Sequence, residues 1–435
     1  MNRGQKLYIK AKKIILGGNM LLSKRPEMFA PNIWPSYFLK SLGTTVWDMD
    51  KKKYTDMIFS VGQNTLGYNN KEIDKEVLKC IKNGNMTTLN CPEEVLLTKK
   101  LIKIHPWAGM AKYARSGGEA NAIAIRIARA ASSKDGVAIC GYHGWHDWYL
   151  SVNLTGKEKL AEHLLKGLDP IGVPKSLRNL VHPFRYGDIK SLKKIIKKYS
   201  IGVIKMEVAR GEKPNYKFLK AVRSIATKKK IVLVFDECTS GFRRNFGGLH
   251  MSLGIYPDIA MFGKALGNGY AITAVLGKKS IMQKAEKSFI SSTFWTERIG
   301  FVAGLKTLEI MEKKKSWEIL MKNGKYFNKK ISELALKYKL KILISGIESI
   351  TSFSFQSKYN LHYKTYITQE MLKKNYLASN LIFISTLHNK KIIDLYIKKL
   401  DPIFKKISFF EKNKLDVSSY IKNGVCHKTF QRLND

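Results

Sequence analysis

Lys264 follows Asp258-Ile-Ala-Met-Phe-Gly, a short apolar run of the kind that forms a buried strand, and precedes the glycine-punctuated Ala-Leu-Gly-Asn-Gly. Asp236 closes a second apolar run, Ile231 to Phe235, 28 residues earlier (264 − 236). Desolvating an ammonium where a buried strand runs out costs on the order of several kcal/mol unless the charge is paired or the amine is used. Covalent use is one answer, because a lysine amine forms a Schiff base with an aldehyde. The separation leaves room for a strand, a connection and a return strand, so both side chains can reach one edge of a parallel sheet.

The elements that must position this pair read as an open α/β sheet. Gly136 to Cys140 and Ile201 to Met206 are buried strands, and Ala271 to Gly277 is another. A lysine-rich amphipathic helix over residues 189–199 precedes the second of them. Strand and helix alternate through residues 110–280, and such sheets bind ligands at the C-terminal ends of their strands. Tyr142, Glu207, Asp236 and Lys264 all fall at ends of this kind. In the segment 114–131, Ala120, Ile123, Ala124, Ile127, Ala128 and Ala131 repeat at helical spacing, which predicts a helix with one buried face. Ser116-Gly117-Gly118 opens it, and a helix N-terminus led by small residues offers free N–H groups to a phosphate. Tyr142 offers a face on which a flat ring can stack for about 1 kcal/mol.

Pyridoxal phosphate needs a lysine for its aldehyde, a carboxylate for its pyridine nitrogen and a seat for its phosphate. Phe235-Asp-Glu-Cys-Thr-Ser-Gly-Phe-Arg243 and Asp258 to Gly269 (DIAMFGKALGNG) resemble the aspartate and lysine motifs of the class III, fold type I, pyridoxal-phosphate aminotransferases. Within that class the chain is most similar to glutamate-1-semialdehyde 2,1-aminomutase and its relatives in surface-polysaccharide gene clusters. The resemblance covers about residues 10–410. It implies a large domain with a mostly parallel mixed sheet flanked by helices, plus a smaller α+β domain. It also implies catalysis by Lys264 with Asp236 on the ring nitrogen, and a phosphate cup of Ser116, Gly117 and Gly118. Gly118 stands where many relatives carry a hydroxyl, which leaves the backbone amides of Gly117 and Gly118 to hold the phosphate. Tyr142 is the implied stacking residue, with His143 beside it and Glu207 at the neighbouring strand end.

Ser291-Ser-Thr-Phe-Trp-Thr-Glu-Arg298 resembles the segment that reaches the partner's cofactor phosphate in this family, so the resemblance implies a homodimer with Thr293 as the contact. Its Phe-Trp-Thr-Glu-Arg continuation is closer to the polysaccharide-cluster relatives. Arg25, with Lys24 competing for the position, falls near an arginine that takes the substrate carboxylate in the aminomutases. The expected reaction is conversion of glutamate-1-semialdehyde to 5-aminolevulinate through the pyridoxamine phosphate form. The alternative is intermolecular transfer to a carbonyl compound, sugar-linked in the polysaccharide setting.

Residues 1–60 are expected as an N-terminal arm that packs with the small domain, 61–300 as the large cofactor-binding domain and 301–435 as the small one. The arm contains two strands, over residues 43–50 and 53–57. Residues 61–68 form a glycine-bearing loop, and 148–180 correspond to a gate in the aminomutases. A long helix over about 300–331, strand character from Lys339 to Phe355 and helices near 366–376 and 389–407 complete the expectation.

A net charge of +43 raises the question of a polyanion partner. The lysines, however, are scattered in short groups such as Lys51-Lys52-Lys53 and Lys313-Lys314-Lys315, without a basic tail or interleaved aromatics. A solvated surface that draws in anionic cofactors and substrates is expected rather than a nucleic-acid site. Five cysteines without a CxxC pair suggest neither a disulfide framework nor a zinc site, and His143, His146 and Asp147 lack a metal-binding spacing. No apolar run reaches the roughly 18 residues that span a bilayer, so a cytoplasmic location without membrane association is expected.

Overall fold

The computed structural model describes residues 1–156, 158–163, 166–209, 211 and 213–428. The chain divides into two compact units, Lys71–Glu318 and Met1–Asn70 with Ile319–Asp435.

The unit Lys71–Glu318 is built on a seven-stranded sheet: β1 (Met110–Ala114), β2 (Gly136–Cys140), β3 (Val181–Pro183), β4 (Ile201–Glu207), β5 (Val232–Asp236), β6 (Ile259–Phe262) and β7 (Thr273–Gly277). The spatial order is β1-β7-β6-β5-β4-β2-β3. Every pairing is parallel except those of β7, which runs antiparallel to both β1 and β6. This is the mostly parallel mixed sheet that the motifs imply. Strands β2, β5, β6 and β7 are buried along their whole length, as strands covered on both faces must be. Register sets the strand ends side by side: Glu207 pairs with Asp236, and Asp236 with Met261.

The helix Gly117–Ser132 follows β1 directly. Ala120, Ile123, Ala124, Ile127 and Ala128 pack with Val137, Ile139, Val203, Val234 and Met261 in one apolar cluster, so the expected face is the buried one. Its N-terminus is closed by a capping box: Ser116 Oγ accepts from Glu119 N, and Glu119 Oε2 accepts from Ser116 N at 2.8 Å.

The helix expected over 300–331 is two, Arg298–Lys314 and Ser316–Lys337. Lys315 between them takes φ +46°. Its left-handed backbone ends the first helix, and Trp317 beyond the break packs its ring 5.2 Å from Phe246.

The other unit carries a four-stranded sheet (Phe38–Leu42, Thr45–Asp48, Lys53–Asp56, Tyr376–Leu377) and a three-stranded one (Ile342–Ser345, Ile350–Phe355, Leu381–Phe383). Helices Asn360–Lys373 and Lys390–Asn413 pack with them around Phe327, Phe353, Tyr363, Ile367, Tyr396 and Phe404. The strand Phe38–Leu42 and the early start of the helix at Asn360 were not expected. Of the segment expected as a gate, Lys157, Leu164 and Leu165 lie outside the described residues. The rest of it holds most of the single helical turn Asp147–Leu150 and the short turns Ser151–Thr155 and Lys175–Leu177.

Candidate active site

Asp236 sits at the C-terminal end of β5, the central strand of the sheet, and is buried. Its Oδ2 lies 2.9 Å from His143 Nδ1 and 3.9 Å from Lys205 Nζ, and its Oδ1 accepts from the Cys238 backbone N–H at 3.2 Å. Burial works to raise its pKa, but the Lys205 ammonium, His143 and the Cys238 amide together hold it well below the usual carboxylate range.

Lys264 begins a short turn two residues after β6 and takes φ +29°. A left-handed backbone at a residue other than glycine stores strain of about 1–3 kcal/mol, and such strain concentrates at functional sites. Lys264 Nζ donates to Thr239 Oγ1 at 2.8 Å. Burial first, and then the Arg243 guanidinium, push its pKa down, while Glu207, Cys238 and Asp236 oppose them. The net shift is downward, toward the neutral, nucleophilic amine. Arg243 is itself fully buried, lowered to about 10 by that burial, and donates to Thr239 O at 2.6 Å.

Tyr142 and His143 leave β2 through Gly141, whose φ of +124° and proximity to Glu207 exclude a side chain. Glu207 Oε2 accepts from Tyr142 N–H at 3.0 Å, so the end of β4 fixes the loop that carries the aromatic face. The Tyr142 ring is 43% exposed, with Tyr149 edge-on at 6.2 Å.

At the start of the helix Gly117–Ser132, a methyl on Gly117 would find only Cys238 Sγ, at 4.0 Å, so open space lies beside its Cα. A methyl on Gly118 would come within 2.9 Å of the His146 ring and 3.1 Å of Trp145 Nε1. Cys238 lies between the cup and the lysine turn, because its Sγ would also stand 3.4 Å from a methyl on Gly263. Burial, and then Asp236, push its thiol well up, which keeps it protonated.

The structure therefore joins His143 to Asp236 and Tyr142 to Glu207, with Lys264 in the electrostatic field of Glu207 and Asp236. Thr293 is exposed, at the head of the turn Thr293–Thr296. Arg115 holds that turn by donating to the carbonyls of Phe294 and Trp295, at 2.8 and 3.1 Å, while Trp295 Nε1 donates to Glu119 Oε1 at 2.8 Å. Arg25 belongs to the other unit, where it is 8% exposed and packed against Gly17. Sequence reasoning missed Lys205, Thr239, Arg243, Trp145 and His146. Lys205 had a signal, since a lysine inside the apolar run Ile201 to Met206 poses the same problem as Lys264.

These residues fit pyridoxal phosphate. They supply a buried carboxylate held ionised, a buried amine biased toward its neutral form and open space at a helix N-terminus.

The family model of the class-III aminotransferases matches residues 31–376. The chain is a class-III aminotransferase. It is 34% identical over 364 residues to a 3-aminobutyryl-CoA aminotransferase of Cloacimonas acidaminovorans (strain Evry), covering 81% of this chain and 84% of that one. It is 30% identical to a glutamate-1-semialdehyde 2,1-aminomutase of Wigglesworthia glossinidia brevipalpis, over 92% of this chain and 97% of that one. Among solved structures it is similar to the FumI protein of Sphingopyxis sp. MTA144 in its PLP internal aldimine form. There the TM-score is 0.85 at 22% identity, over 97% of this chain and all of that one. This class-III aminotransferase is thus a pyridoxal-phosphate enzyme of the fold type I architecture.

The depressed pKa of Asp236 has a signed consequence. Its contribution to stability is present above the unfolded carboxylate pKa, about 3.9, and is lost as the pH falls through the lower folded value. Removing one partner of a buried charge pair costs about 3–5 kcal/mol. The cofactor-free wild type is therefore expected to exceed Asp236→Asn by about 3 kcal/mol in urea denaturation at pH 7. The gap should stay constant down to about pH 5 and narrow below pH 4. A gap that widens on acidification contradicts the pairing.

Proposed function

We propose that Lys264 and Asp236 carry amino-group transfer between two substrates, with a small carbonyl compound as acceptor. Bound at this site, pyridoxal phosphate supplies an electron-accepting ring and an aldehyde that carries the amino group, with pyridoxamine phosphate as its aminated form. Lys264 would hold the aldehyde through its amine and would move the proton at the substrate Cα. Asp236, kept anionic by the Lys205 ammonium, His143 and the Cys238 amide, would hold the ring nitrogen protonated. Tyr142 would stack on the ring, with Glu207 fixing its backbone and His143 orienting Asp236. Ser116, Gly117 and Gly118 would seat the phosphate on helix N–H groups. As functional divisions, we keep the arm 1–60, the cofactor domain 61–300 and the terminal domain 301–435.

The observation that favours intermolecular transfer is the burial of Arg25. It packs against Gly17, and its charge acts on Tyr8, a hydrogen-bond partner of Glu27. That is a structural setting for the arginine on which recognition of a glutamate-1-semialdehyde carboxylate would rely. The 34% identity to an aminotransferase named for 3-aminobutyryl-CoA supports the same reading. The aminomutase reaction, giving 5-aminolevulinate, is the second reading. It is supported by curated aminomutases that match over 92–94% of this chain.

A sugar-linked carbonyl acceptor suits the Phe294-Trp295-Thr296-Glu297-Arg298 segment, and the +43 charge favours anionic substrates. Among the described residues no helix is long and apolar enough to cross a membrane.

Two measurements test this reading. The pyridoxamine-phosphate form should give no 5-aminolevulinate from glutamate-1-semialdehyde in a single turnover, with Lys264→Ala as the control. Product from the wild type alone would instead establish the aminomutase. The enzyme is also proposed to be a homodimer, with Thr293 serving the partner's phosphate. The exposed Trp145, Phe289 and Phe294 rings are apolar surface that a second copy would cover. Sedimentation equilibrium should return the mass of two chains, and a monomer mass would exclude that role for Thr293.

A further inference from the structure

Lys205 lies in the middle of β4, between the buried Ile204 and Met206, and has no exposed surface at all. Among the described residues no other lysine is sealed in this way. Its Nζ is 3.0 Å from Met261 Sδ and 3.9 Å from Asp236 Oδ2. Thioether sulfur is a weak acceptor, so the Met261 contact does little for an ammonium. Asp236 is the anion that compensates the charge. Cys238 and Glu207 act on it more weakly, Arg243 is the other buried cation of the pocket, and Lys264 is biased toward its neutral form.

At 3.9 Å the pair is too long for a good hydrogen bond, so Lys205 acts on Asp236 through its field and takes up none of its acceptor sites. The carboxylate offers about four such sites. His143 Nδ1 and the Cys238 amide use two. The carboxylate is thus charge-balanced and still able to accept from a ring nitrogen.

We propose that Lys205 is a positioning residue whose buried ammonium keeps Asp236 ionised in the cofactor-free enzyme and gives up that role to the protonated ring nitrogen when the cofactor binds. The inference rests on the reading of Asp236 as the ring-nitrogen partner. With two cations on one buried carboxylate, the pocket holds one positive charge too many, and burial already pushes Lys205 toward its neutral form. Part of the affinity of Asp236 for the ring nitrogen is therefore lost to the charge of Lys205.

The consequence runs against the usual effect of altering a cofactor pocket. Lys205→Met keeps the length and fills the strand with an apolar side chain. It should lower the melting temperature of the cofactor-free protein by several degrees and leave that of the pyridoxal-phosphate-loaded protein near the wild type. By the thermodynamic cycle, the variant should then bind pyridoxal phosphate at least tenfold more tightly, as read by absorbance and fluorescence titration. Lys205→Gln should shift both quantities in the same direction and serves if the methionine variant folds only with cofactor present. A purely structural lysine would destabilise both forms alike and leave the affinity unchanged, and that result overturns the proposal. So does weaker binding, or failure of both variants to fold even with cofactor.

Asp236→Asn separates the two readings. If it weakens cofactor binding while Lys205→Met has no effect, only the role of Lys205 fails. If Asp236→Asn leaves binding unchanged, the assignment of Asp236 fails first.

Discussion

A carboxylate sealed at the end of a central strand has to be balanced from inside the protein, and much of this active site follows from how Asp236 is balanced. At about 4 Å and an effective dielectric constant near 20, a unit charge pair is worth about 4 kcal/mol, enough to offset much of the desolvation. His143 reaches Asp236 from the loop after β2, Lys205 from β4 and the Cys238 amide from the turn after β5. Each comes from a different strand or strand end, so the charge balance depends on the register of the sheet. A slip of one residue in β4 would turn Lys205 to the other face and leave the carboxylate without its cation.

The same register sets the chemistry of the lysine. Lys264 leaves β6 beside Asp236, under a strained backbone and next to Arg243. Burial, and then the neighbouring Arg243 guanidinium, lower its basicity without any change to the amine itself. The anion of the site is thereby held charged and the nucleophile biased toward neutral, the opposite protonation states that amine transfer requires.

Much of this was legible in the chain because strand ends and helix starts carry local signals. The apolar runs that end in Asp236, Glu207 and Gly263 became β5, β4 and β6, and the spacing of Ala120, Ile123 and Ile127 became the buried face of the helix Gly117–Ser132. What was missed depends on tertiary contact. The break at Lys315 has neither glycine nor proline to announce it, and a left-handed lysine is tolerated there because Ser316 is buried beyond it and Trp317 packs on Phe246. The strand Phe38–Leu42 has neither alternation nor burial and exists through pairing with Thr45–Asp48. Lys205 was visible as a letter, but its partner became identifiable only once β4 and β5 were aligned. The turn at Thr293 was recognisable from its residues, whereas the way Arg115 and Glu119 hold it was not.

The central claim is that Lys264, and no other lysine of this lysine-rich chain, is the covalent anchor of the cofactor. Reduction of the pyridoxal-phosphate-loaded enzyme with borohydride, followed by peptide mapping with mass spectrometry, tests it directly. The account predicts one phosphopyridoxyl group per chain, on the peptide that contains Lys264. The same group found stoichiometrically on Lys205 or on a surface lysine, with Lys264 unmodified in active enzyme, would contradict it.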